Sequence, residues 1–101
     1  MIGIEVIYTV QEGYAEHNKA NIQRVMADLR ALDRSDIRYA TYVEEDGKTF
    51  HHIAVRKDAE SFKLDSLEAF KTFQNELKAS QPEKPPVATK LSLVGSSYDI
   101  F

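Results

Sequence analysis

The chain has 101 residues, and its 16 Asp and Glu against 13 Lys and Arg leave a net charge of −3. This length predicts one domain, and the acidic balance argues against a nucleic-acid binder, which presents a basic face. There is no cysteine, hence no disulfide framework and no thiolate metal site, and no apolar run approaches the roughly 18–20 residues of a membrane span.

The N-terminal stretch MIGIEVIYTV contains Glu5 and no basic n-region, so it reads as a strand rather than a signal peptide. A cytoplasmic protein with no membrane partner is the expectation. Over residues 2–10, Ile2, Ile4, Val6, Tyr8 and Val10 alternate onto one face. A turn at Gln11-Glu12-Gly13 follows. Residues 14–32 switch to helical period, with Ile22, Val25, Met26, Leu29 and Leu32 on one stripe. Asn18 lies one turn before Ile22, on the same stripe.

Residues 37–44 and 49–56 read as a hairpin, because Asp46-Gly47 between alternating runs is a strong turn signal. A two-residue turn there pairs Val43 with Phe50, Thr41 with His52 and Tyr39 with Ala54. Residues 58–64 read as irregular or a short helical turn. Asp65 and Glu68 have the spacing of a capping box. The helix they open carries Leu67, Phe70, Phe73, Gln74 and Leu77 on one stripe. The stretch QPEKPP, residues 81–86, reads as an extended connection. Residues 88–95 form the last strand, and GSSYDIF is a tail.

The order β-α-β-β-α-β predicts an α+β, ferredoxin-like sandwich: one antiparallel sheet with both helices on one face. The second face would carry Ile7, Ala40, Tyr42, Ile53 and Val55, too apolar for water. A second copy packed there, as a two-fold homodimer, is the simplest cover.

His51 and His52 are adjacent on a strand, so they point to opposite faces and cannot share a site within one subunit. His52 goes to the helix-covered face and His51, with Tyr42, to the dimer face. His17 points away from the buried stripe. No metal site is therefore expected. His52 has two readings: a buried histidine bonded to neighbouring Tyr or Thr, or a proton-transfer residue in a pocket.

Asn18, Gln74, Tyr8, Tyr39, Thr41, His52 and Arg56 all fall on stripes that should be apolar. Several such groups suggest a lined cavity that orients a small ligand. The competing reading places Arg56 and Tyr8 at opposite rims with their polar ends in water. No Gly-rich phosphate loop and no spaced nucleophile and base are present.

The strand IGIEVIYTV, the turn QEG before a long helix, the strand TFHHIAVRKDAESF and the helix SLEAFKTFQNEL resemble the antibiotic-biosynthesis-monooxygenase-like proteins of the dimeric α+β barrel superfamily. The resemblance covers nearly the whole chain. It implies a homodimer whose two sheets form a barrel, with a pocket in each subunit between sheet and helices. It also implies oxidation of aromatic rings without flavin or metal, so no cofactor is expected. The three residues on which the haem-degrading branch relies are replaced here by Val6, Arg56 and Gln74. The asparagine and tryptophan of the cofactor-free oxygenase branch are replaced by His52 and Arg56.

On this basis a cofactor-independent monooxygenase or a related isomerase is expected, with His52 the proton-transfer residue and Arg56 an oxyanion stabiliser. Tyr8, Asn18, Tyr39, Thr41, Phe73 and Gln74 are expected to hold a small apolar or aromatic substrate. The alternative is a dimer that binds a ligand without turnover, or has a structural role. RNA binding, which the same scaffold can support, is disfavoured by charge and by the missing RNP1 pattern.

Overall fold

The computed structural model describes all 101 residues. Its order is β1 (Ile2–Thr9), α1 (Ala15–Leu32), β2 (Ile37–Val43), β3 (Thr49–Arg56), α2 (Glu68–Ala79) and β4 (Lys84–Leu91). Short 3-10 turns, Glu12–Tyr14 and Leu64–Ser66, precede the two helices. The strands form one antiparallel sheet in the order β2-β3-β1-β4, and the helices pack on one of its faces. This is the expected ferredoxin-like α+β arrangement.

Alternation explains the layering. Tyr8, Val10 and Phe50 project from one side of the sheet and are buried with Ala15, Ile22 and Val25 of α1 and Phe73 and Leu77 of α2. The helical layer does not cover that side completely: Ile4, on the same face, remains 37% exposed.

The hairpin pairs Val43 with Phe50, Thr41 with His52 and Tyr39 with Ala54, the expected register. Its turn differs. Glu44 N donates to Thr49 O at 2.8 Å and Gly47 N to Glu44 O at 2.9 Å, so residues 45–48 form a wider loop than a two-residue turn. Gly47 takes φ 76°. The Asp46 carboxylate accepts from Lys48 N and Thr49 N, both at 2.9 Å, and from Thr49 Oγ1 at 2.6 Å. That side chain does the closing that a tight turn would do with backbone alone.

Three further expectations are corrected. The Asp65–Glu68 capping box does not form: Asp65 lies in the 3-10 turn, and α2 starts after Leu67, which has no side-chain cap. Leu67 packs against the core cluster instead, so burial outweighs the cap. The last strand begins at Lys84, not at residue 88, and includes Pro85 and Pro86. β4 is an edge strand, and its register with β1 shifts between Ile7 and Thr9, where the prolines sit. A bulge on an edge tolerates residues without N–H. Leu32, expected on the buried stripe, is 48% exposed at the end of α1.

Candidate functional site

His52 faces the helices and is 6% exposed. β3 holds it between β1 and β2, opposite Val6 and Thr41. Both ring nitrogens have partners: Tyr8 Oη lies 2.7 Å from Nε2, while Tyr39 Oη lies 2.5 Å and Thr41 Oγ1 3.1 Å from Nδ1. Asn18 Nδ2, from α1, donates to Tyr8 Oη at 2.8 Å. The Asn18 Oδ1 atom is buried without a partner.

These bonds have a direction. With Asn18 donating to the Tyr8 oxygen, the single Tyr8 proton goes to His52 Nε2. The neutral ring then carries its own proton on Nδ1 and donates it to Tyr39 Oη. The Tyr39 proton is left free to turn to Thr41 or to a ligand.

Burial sets the charge state. It pulls His52 down from 6.5 to about 4, pushes Tyr39 up to about 12 and raises Tyr8 further, because a poorly solvated site disfavours each charged form. The chain Asn18–Tyr8–His52–Tyr39 is therefore neutral around pH 7.

A cavity of about 540 Å³ opens beside this chain, between the sheet and α2. Tyr8, Tyr39 and His52 line its inner end, with Phe70 and Phe73 of α2. The His52 ring lies 5.2 Å from Tyr8 and from Phe73, and Tyr39 lies 6.3 Å from Phe70 in an edge-on contact. Offset and edge-on rings at these separations make an apolar aromatic wall. Gln74, Lys78, Pro85 and Pro86 form the exposed mouth.

The structure thus brings Tyr8, Tyr39, His52, Phe73 and Gln74 to one cavity. Asn18 and Thr41 stand behind it and reach it only through Tyr8 and His52. Tyr8 is buried, not a rim residue. Arg56 is not brought in. It follows His52 by four residues on β3, about 13 Å at strand rise, and borders a separate hollow with Lys63, Asp65 and Lys90. An oxyanion at the His52 end of the cavity is out of its reach. Lys78 escaped the sequence reading although it lies one helical turn beyond Gln74. Asn21 was missed too: it is buried and donates to Glu76 Oε1 at 2.9 Å, tying α1 to α2. Its signal was its place three residues after Asn18.

His51 lies on the opposite face of the sheet, bonded to Glu44 Oε2 at 2.5 Å. His17 bonds Glu76 on the helical surface. No group of three or more His, Cys, Asp or Glu side chains is placed to hold a metal ion, and no helix is long and apolar enough to cross a membrane.

No family profile matches the chain, and no curated protein matches it in sequence. Solved structures match it in shape. An antibiotic biosynthesis monooxygenase superposes with a TM-score of 0.75 at 13% identity, over 94% of this chain and 100% of that one. A Mycobacterium tuberculosis protein gives 0.77 at 11% identity, over 96% and 98%. SnoaB, a cofactor-independent oxygenase from Streptomyces nogalater, gives 0.69 at 16% identity, over 97% of each chain. Over nearly its whole length, the chain therefore has the ferredoxin-like α+β fold of the antibiotic biosynthesis monooxygenase proteins.

Proposed function

We propose that the protein is a cofactor-independent monooxygenase acting on a small aromatic or enolisable compound bound between the sheet and α2. The observation that carries this reading is a neutral hydrogen-bonded chain that ends, at Tyr39, in an aromatic cavity large enough for fused rings. Both His52 nitrogens are capped, so a ligand hydroxyl or enol meets Tyr39 Oη first. Tyr39 Oη accepts from His52 Nδ1, so its own proton turns to the ligand oxygen and stabilises the anion left when the ligand's proton is lost to solvent at the mouth. The electron-rich ligand left behind reacts with dioxygen: one oxygen atom enters the ring, the other leaves as water, and the substrate supplies all four electrons. Arg56 has no role in this scheme.

Oxygen uptake with a panel of hydroxylated naphthalenes and anthrones tests the proposal. At least one should be consumed, and Tyr39→Phe should slow turnover about 100-fold or more, the usual scale for losing one donor to an oxyanion, with the fold intact. Absence of uptake across the panel contradicts it.

A second reading, a ligand-binding protein without turnover, is favoured by one observation: His52 has both nitrogens satisfied within the protein, as a structural histidine would. It predicts that a ligand raises the melting temperature without product.

A homodimer belongs to the same proposal, supported by the apolar outer face of the sheet. Tyr42 and Val87 there are 62% and 63% exposed, beside half-buried Ile7, Ile53 and Val55. A cytoplasmic location, expected from the sequence, is also part of it.

A further inference from the structure

The inner end of the cavity carries no charged side chain. Its polar groups are neutral and bonded to one another. The mouth is different. Lys78 is the one charged side chain among the residues lining the cavity, and no acid lines it. Lys78 makes no ion pair, and neither Lys78 nor Gln74 makes a side-chain hydrogen bond within the chain.

Lys78 and Gln74 are four residues apart on α2 and so lie on one face of it, at the same opening. The facing wall is Pro82, Pro85 and Pro86, which have no N–H to donate. Every free donor at the mouth therefore comes from α2. A lysine in the last turn of a helix is favoured by the helix dipole alone. The dipole does not require that lysine to border a cavity with no counter-charge.

We propose that the ligand carries a carboxylate at its outer end, held by Lys78 with Gln74 as a second donor, while its apolar body lies against Phe70, Phe73 and Tyr39. This rests on the ligand-binding role of the cavity proposed above. The contact is solvent-facing, so its effect is modest and screened by salt.

The test uses two probes of similar shape, 2-naphthoate and the neutral 2-acetylnaphthalene, titrated by calorimetry at low salt. Naphthoate should bind roughly two- to fivefold tighter to the wild type. The ratio should fall to about one in Lys78→Met, persist in Lys78→Arg, and shrink at high salt. Lys78 is exposed, so neither substitution should disturb folding, which circular dichroism of each variant checks. If both probes bind and naphthoate has no advantage, or keeps it in Lys78→Met, the carboxylate assignment is wrong while the cavity reading stands. If neither probe binds, the cavity reading falls and this inference with it.

Discussion

His52 shows how one residue can be legible in kind and not in detail. Strand alternation was enough to separate it from His51 and to place it under the helices, with Tyr39 and Thr41 near it. Alternation says nothing of where a long side chain ends, so the capping of both ring nitrogens by Tyr8 and Tyr39 was not readable. The placement of Arg56 has the same origin: it shares a face with His52 but does not line its cavity, because four residues of extended chain intervene. Burial of the ring has a measurable consequence. Its folded value of about 4 lies below 6.5, so the unfolded chain binds more protons between these limits. The contribution is complete above about pH 6.5 and is lost as pH falls through 4. It is worth on the order of 3 kcal/mol. Other groups also titrate in acid, Asp36 among them with its value held near 2 by Arg34, so a comparison is needed. The stability advantage of the wild type over His52→Gln should shrink between pH 7 and 4.5 in urea unfolding. A constant difference would contradict the assignment of a buried neutral imidazole.

At the scale of elements, periodicity was a good guide to which segments exist and which residues share a face. It was a poor guide to their ends. The register of the β2–β3 hairpin was readable because the loop is centred on Asp46 and Gly47, where the turn signal put it, and widening it by one residue on each side leaves every pair in place. The turn was misread because Asp46 closes it with its side chain, a local hydrogen-bonding choice that a dipeptide rule does not contain. β4 was placed late because prolines argue against a strand, and only its position at the sheet edge, a topological fact, removes the objection. At the hairpin, Gly47→Ala should cost about 1 kcal/mol, because φ 76° penalises a Cβ. No atom lies within 4 Å of the Cβ it would add, so the cost is backbone strain alone. Thermal unfolding measures it. An unchanged midpoint would show that the turn can adopt another geometry.

Across the whole molecule, a four-stranded sheet with helices on one side leaves the other side to be covered. For a chain of this size, burying that face is also the cheapest added stability. Light scattering should give twice the 11.5 kDa chain mass, and Tyr42→Glu, which puts a charge on the exposed apolar surface, should return the mass to one chain. A wild-type monomer would remove the dimer from the account. The cavity was foreseen only as a space between sheet and helices. Its mouth was not, because that is built where the chain leaves α2 and folds back into the proline segment of β4, and the helical pattern of the one does not say where the other turns.

The claim on which the rest depends is that a ligand enters beside the Asn18–Tyr8–His52–Tyr39 chain. Carbon–proton NMR of the three histidine rings during a titration with 2-naphthol tests it most directly, since one probe watches the cavity, the outer face and the helical surface together. The His52 resonance should move and saturate while those of His51 and His17 stay in place. A stationary His52, or a saturable shift at His51 instead, would contradict it.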